Sequence, residues 1–349
     1  MRASLRLHCA PAGRRLLVTA SILIGPLSAA PANDDAMLQA LIKAAKSEGS
    51  LMIYHTSPFP IIGPTFRGFE KKYGIKIQNF HATGNALTVR FSSEAAANRP
   101  LADVFYASEA TAFERYQSLF QRLTPDNFPY LARIPQAARM SNGVALAPTQ
   151  TSFSLIYNTK RVAKGTEPRT WNDIADPKWK GTAMLVDPRS SATYRVAFNA
   201  IRKMRPGLLP KIKSLDPRLV ETGTPAAQQI AAGTAAFAFP AYPTHATPLM
   251  AKGAPIQWAT IEDPELTRNG WVGAVNGSRN PNAARLFVNF FMSDEGVALY
   301  CKASAGSKSA IDPTGKRTGC EPLASDVVFL PDSLSAQDSA EVVKQLGLQ

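Results

Sequence analysis

The sequence predicts an α/β protein built as two lobes with a ligand cleft between them, and three observations carry this. From residue 34 onward the chain alternates amphipathic helices with short apolar strands, the pattern of largely parallel sheets covered by helices. Several of these strands end in small polar residues, and in open α/β sheets ligands sit outside the carboxyl ends of the strands. The chain has 349 residues, and the about 317 that follow an N-terminal targeting segment exceed what one core serves.

That targeting segment begins with Arg2, Arg6, Arg14 and Arg15. An apolar run follows over residues 16–29, about 14 long, in the signal-peptide range and too short to span a bilayer. Ala30-Pro31-Ala32 fits the small-x-small rule, which places cleavage before Asn33 and makes 1–32 a signal peptide. Its removal takes away four arginines and no acids, lowering the formal charge from +13 to +9. The remaining Lys and Arg are scattered, with no aromatic-interleaved basic tract, so nucleic-acid binding is not expected. A basic exported protein attracts anionic solutes or a negative membrane face. Only Cys301 and Cys320 remain after cleavage, 19 positions apart. In an oxidising compartment two such cysteines pair, closing a loop worth ~3 kcal/mol. No CxxC or zinc-type spacing is present.

The first lobe opens with a helix over 34–47, where Leu38, Leu41, Ile42 and Ala45 share one face. Residues 50–54 form a buried strand ending in the loop His55-Thr56-Ser57-Pro58. A helix over 61–73, closed by Gly74, leads to a strand over 75–80 and the polar loop Thr83-Gly84-Asn85. A helix over 86–98 follows, then the strand 102–106 ending in Ala107-Ser108-Glu109, and a helix over 113–120. The three polar loops are expected to face one crevice.

Two strand-like runs over 144–157, broken by Pro148-Thr149-Gln150-Thr151, lead into a second α/β unit. Trp171-Asn172-Asp173-Ile174 reads as a helical turn closed by Asp176-Pro177, because the residue before proline is pushed out of the α region. An apolar strand over 182–186 turns at Asp187-Pro188-Arg189, and Ser190-Ser191-Ala192-Thr193 opens a helix over 194–204. A strand feeding a Ser/Thr-rich helix start offers backbone N–H groups, hydroxyls and a favourable dipole to an anion. Capping by Ser190 or Ser191 accounts for the same residues. A strand near 219–222, a helix over 225–232 and a strand over 235–239 complete the unit. Segments 256–261 and 270–276 read as extended returns to the first lobe. Helices follow over 282–292, 294–302 and 335–346.

In this order the blocks EGSLMIYHT, ADVFYASEA, SFSLIYNTKRV, WNDIADPKWKG, VDPRSSAT, AAFAFPAY and ARLFVNFFMSDEGVALY resemble the ferric-type subgroup of periplasmic solute-binding proteins of ABC importers. The resemblance covers nearly all of the chain beyond the targeting segment. It implies a type II periplasmic-binding-protein fold, residence in the periplasm, capture of a solute by hinge closure, and docking on an ABC permease in the inner membrane. It implies a monomer as the family's default. The lobes are then expected at 33–147 plus about 258–302, and at 148–257 plus about 303–349. The crossings would lie at 148–152 and 239–243, where hinge closure would act.

Iron-binding members hold Fe(III) through two adjacent tyrosines after the strand matching 235–239, helped by an anion on the second-lobe helix. Here that segment reads Phe239-Pro240-Ala241-Tyr242-Pro243-Thr244-His245, and only Tyr242 remains. The anion half of the family site survives: Ser190, Ser191 and Ala192 match its positions, with Thr193 next and Arg189 beside them as a bidentate partner for carboxylate or phosphate. Thr56, Ser57, Gly84, Asn85, Ser108, Glu109 and Thr151 would face them. The expected solute is a small organic anion, a carboxylate, phosphonate or phosphate ester, bound without a cofactor. The alternative is Fe(III) with a synergistic anion, held by His55, Glu109, Tyr242 and His245. No nucleophile elbow, HExxH or P-loop is present, so an enzyme is not expected. A receptor that presents its ligand to a sensor shares the same fold.

Overall fold

The computed structural model describes residues 30–349 apart from 83, 98, 191, 262 and 332. The expected signal peptide thus lies almost wholly outside the described residues. In chain order the first elements are α1 (Ala30–Glu48), β1 (Ser50–His55), α2 (Phe59–Tyr73), β2 (Lys76–His81), α3 (Gly84–Ala96), β3 (Val104–Ala107) and α4 (Thr111–Arg115). They are followed by β4 (Leu146–Ser152), β5 (Ser154–Asn158), α5 (Trp171–Ile174), β6 (Ala183–Val186), α6 (Ala192–Met204), α7 (Leu208–Ser214), β7 (Arg218–Val220) and α8 (Gly223–Ala231). The chain continues through β8 (Phe237–Ala241), α9 (Pro243–Met250), β9 (Ile256–Thr260), β10 (Glu265–Ala274), α10 (Pro281–Phe291) and α11 (Asp294–Ala303). It ends with β11 (Ser307–Ser309), β12 (Val327–Phe329) and α12 (Ala336–Gln345).

Local chemistry sets many of these boundaries. Gly74 takes a left-handed conformation (φ 75°) after α2 and returns its N–H to the Glu70 carbonyl, a closure that glycine makes without a Cβ penalty. Thr170 and Asp173 cap α5 reciprocally, satisfying two backbone donors at once. The Glu48 carboxylate accepts the Asn282 and Ala283 N–H groups at 3.1 and 2.7 Å, fixing the start of α10 against the end of α1.

The strands make two sheets. One runs β11-β4-β10-β3-β1-β2 with β12 beside β10, and the other runs β7-β6-β8-β5-β9. In the first, β2, β1 and β3 are parallel and β10 is antiparallel to β3. In the second, β7, β6 and β8 are parallel and β5 is antiparallel to β8. Each lobe therefore combines a parallel core with an antiparallel strand that leads to the other lobe. Side chains alternate across the first sheet as the pleat requires. Val104 and Tyr106 enter a core with Phe66, Phe69 and Phe287, while Phe105 and Ala107 enter one with Phe91 and Phe113. The second lobe closes on Trp171, Phe198, Phe237 and Phe239.

The crossings differ from expectation. Residues 148–151 do not break the chain but lie inside β4. Pro148 is tolerated there because the β4–β10 register shifts between Gly270 and Val272, and an irregular ladder has no need of its missing N–H. The first crossing is instead Phe153, between β4 and β5. The second is not at 239–243, because Pro243 sits in the first turn of α9, a position suited to proline, and the chain stays in the second lobe through β9. It crosses between β9 and β10. Residues 303–349 were expected in the second lobe, but β11 and β12 join the first sheet. Val328 and Leu330 at β12 also touch the second-lobe core, and α12 lies on that lobe, where Asp338 pairs with Arg202 and Lys203 of α6. The expected disulfide is formed between Cys301 and Cys320, tying the end of α11 to the segment after β11. Among the described residues no helix is long and apolar enough to cross a membrane.

Candidate functional site

A cleft of about 750 Å³ opens between the lobes. The first lobe lines it with Thr56 and Ser57 after β1, Gly84 at the start of α3, and Ser108 and Glu109 after β3. Strand β4 adds Thr149 and Thr151, and β10 adds Arg268, Asn269 and Gly270. From the second lobe come Thr193 and Tyr194 of α6, Thr222–Thr224 and Gln228 at α8, and Tyr242, Thr244 and His245 at α9. The three strand-end loops of the first lobe thus do meet in one crevice.

The decisive group is one that sequence reasoning missed. Arg268 is only 3% exposed, yet it lines the cleft from β10. Its Nη1 donates to Thr193 Oγ1 at 2.7 Å, and its Nη2 donates to the Ser108 carbonyl at 3.2 Å. One guanidinium therefore bridges the first-lobe loop after β3 and the first turn of the second-lobe helix α6. Buried arginine suits planar anion recognition, because its donors form a rigid fork and its charge persists at any working pH.

Around it stand buried aromatic hydroxyls. Tyr242 stacks on Phe153, the residue of the first crossing, with ring centroids 4.7 Å apart. Burial raises the Tyr242 phenol well above its ordinary value, against a lowering pull from Arg268. Tyr106 shares a hydrogen bond with Thr149 Oγ1 at 2.9 Å, and Tyr300 meets Ser57 Oγ at 3.3 Å. Burial pushes both phenols up, so they stay neutral. Tyr194 Oη accepts the Gly223 N–H at 3.1 Å, tying α6 to the start of α8. Gly223 faces His245 so closely that a Cβ there would lie 2.0 Å from the ring.

The expected residues divide clearly. Thr56, Ser57, Gly84, Ser108, Glu109, Thr151, Thr193, Tyr242 and His245 line the cleft. Ser191 lies outside the described residues, Asn85 follows Gly84 in α3, and Ala192 is the first residue of α6. Arg189 does not reach the cleft. Its Nε and Nη2 donate to the Asp187 carboxylate and its Nη1 to the Leu348 carbonyl, and this pairing holds Asp187 below its usual range. Ser190 is exposed, and its Oγ is committed to the backbone, 2.7 Å from the Asp187 carbonyl and 2.6 Å from that of Glu221.

Of the four residues considered for a metal, two are otherwise engaged. His55 is fully buried in the first lobe, with Nδ1 2.7 Å from the Ser57 carbonyl and Nε2 3.2 Å from Asn79 Oδ1. His245 Nδ1 accepts the Tyr242 N–H at 3.1 Å, which uses the one lone pair a neutral imidazole has to offer. Burial lowers His245 to about 4, so it is neutral. Among the described residues no three His, Cys, Asp or Glu side chains are placed to hold a metal ion together.

A family model described as bacterial extracellular solute-binding protein matches residues 65–307. The chain belongs to that family. An uncharacterised protein of Haemophilus influenzae is 26% identical over 74% of this chain and 77% of its own. A Serratia marcescens protein named as an Fe(3+)-binding periplasmic protein is 24% identical over 47% of each. Among solved structures, iron-bound HitA of Pseudomonas aeruginosa matches with a TM-score of 0.63 at 21% identity, over 86% of this chain and 97% of that one. AfuA of Actinobacillus pleuropneumoniae with fructose-6-phosphate bound matches at 0.63 and 20%, over 86% and 99%. These likenesses establish the two-lobe solute-binding fold.

Proposed function

We propose that this solute-binding protein captures a small organic anion between its lobes and delivers it, by hinge closure, to an ABC permease. The observation that carries the anionic reading is Arg268, a cation buried at the lobe junction and oriented by Thr193 at the start of α6. Two second-lobe helices, α6 and α8, present their first turns to the same cleft through Thr193, Gly223 and Thr224, adding partial positive charge and hydroxyl donors. A carboxylate, phosphonate or phosphate ester meets all of these donors. The likeness to AfuA with its bound sugar phosphate supports the same reading.

Fe(III) with an anion is the second reading, favoured by the names of HitA and the Serratia relative and by Tyr242 and Glu109 lining one cleft. Against it stand the engaged nitrogens of His55 and His245 and a tyrosine phenol raised by burial. A thermal-shift screen separates the two, using Fe(III) with and without citrate or phosphate alongside phosphonates, phosphate esters and carboxylates. A ligand at 100 times its dissociation constant adds ~2.7 kcal/mol. Stabilisation by an organic anion in the presence of chelator supports the proposal, whereas a shift that requires Fe(III) transfers the function to metal import.

A further inference from the structure

Glu109 is half-buried at the cleft, and among the described residues its Oε2 is buried with no hydrogen-bond partner. Arg268 beside it has donors committed to Thr193 and to Ser108. No ion pair of Glu109 occurs among the described residues. Carboxylates with a structural task in this chain look different. Asp103 accepts from Met52, Ser278 and Asn280, and Asp312 from Arg317 and Thr318. The buried Glu265 accepts the Ala324 N–H at Oε2 and, although its Oε1 has no hydrogen bond, has the Lys308 ammonium 3.1 Å from it as counter-charge.

The position of Glu109 is also built. It lines the cleft beside Ser108, whose carbonyl receives Arg268, so the two opposite charges flank one short stretch of the site. Gly84 backs the carboxylate, and a Cβ there would lie 2.6 Å from Oε2. A solute carrying only negative charge would settle at Arg268 next to a carboxylate that nothing neutralises. A buried acceptor without a donor is costly, and a donor on the solute removes that cost.

We propose that Glu109 is the counter-site to Arg268, so that the captured anion also bears an ammonium or hydroxyl group, held by the Glu109 carboxylate a few bonds from the anionic end. The inference rests on the anionic reading and narrows it from anions in general to bipolar or hydroxylated ones.

Calorimetric titration of the purified protein with ethyl phosphate, glycerol 3-phosphate and O-phosphoethanolamine tests it. At least one donor-bearing probe should bind about ten-fold or more tightly than ethyl phosphate, the scale of a hydrogen bond to a charged group. Glu109→Ala should then bring the three probes within about two-fold of one another. Glu109→Gln tells the sources apart, because the amide oxygen still accepts from a hydroxyl but no longer balances an ammonium. Equal binding of all three by the wild type overturns the inference while leaving the anionic reading in place. So does a Glu109→Ala variant that weakens all three alike. If no probe binds to either the wild type or Arg268→Gln, the anionic reading falls and takes this inference with it. Melting without ligand gives a second check. Glu109→Gln should melt no lower than wild type, and a fall of several degrees marks the carboxylate as structural and overturns the assignment.

Discussion

Arg268 Nη1 donates to Thr193 Oγ1 at 2.7 Å, joining strand β10 of the first sheet to the first turn of α6 in the second lobe. The contact lies just after the chain crosses from β9 to β10, so a single cation lining the cleft also ties the two lobes together.

Arg268→Gln should therefore weaken binding of the anion found by the screen about 100-fold, the loss of charged hydrogen bonds in a buried setting. Arg268→Lys should restore little, since one ammonium does not reproduce the fork. Thr193→Val, which removes the orienting hydroxyl at constant volume, should cost about five-fold. Titration calorimetry on the folded variants checks the ranking, and an unaffected Arg268→Gln would remove the basis of the anionic site.

Gly223→Ala should destabilise the second lobe. The added methyl would stand 2.0 Å from the His245 ring, and forced repacking of this kind costs about 1–3 kcal/mol. Urea unfolding measures it. A variant as stable as wild type would mean that the ring moves aside freely.

His245 makes stability depend on pH. Its folded value lies at about 4, lowered by burial from an ordinary 6.5. Between these values the unfolded chain holds a proton that the native protein does not, so stability falls as pH falls from about 6.5 towards 4. The slope from one such group approaches about 1.4 kcal/mol per pH unit, and it disappears below the folded value. His55 is shifted in the same direction, chiefly by burial, so His245→Gln should flatten the profile in part. Denaturant unfolding without ligand at several pH values gives the slopes, and identical slopes for wild type and variant would contradict the assignment.

Cys301→Ser with Cys320→Ser should lower stability by ~3 kcal/mol, the entropy of closing a loop of this length. The same loss should follow reduction of the wild type, and melting with and without reductant reports both. No change on reduction would show that the bond adds nothing to the native state.

The helix and strand alternation was legible because helices such as α1 carry a periodic apolar face, while β1 and β3 are short apolar runs ended by small polar residues. The loops after β1, β2 and β3 were placed in one cleft by topology alone. Arg268 was not legible. It is a lone basic residue in ELTRNGWVGA, a strand whose start at Glu265 local pattern does not mark, and its burial comes from partners 75 and 160 positions away in sequence. Arg189 failed for the converse reason. Adjacency to the helix start suggested a cleft residue, but Asp187, two positions before it, offers a closer partner. The first crossing was misjudged because Pro148 reads as a break unless the shift in the facing strand is known, and the second because Pro243 reads as a break although it opens α9.

The pairing of β11 and β12 with the sheet begun by β1 bears on how the chain comes into being. Strands β1 to β4 and β10 to β12 share one sheet, and all of the second sheet, β5 to β9, lies between them in sequence. The second lobe in turn takes α12 from beyond the last strand of the first. Neither lobe is one uninterrupted stretch of chain, and long-range strand pairing must wait for both partners. The two halves are therefore left to finish together.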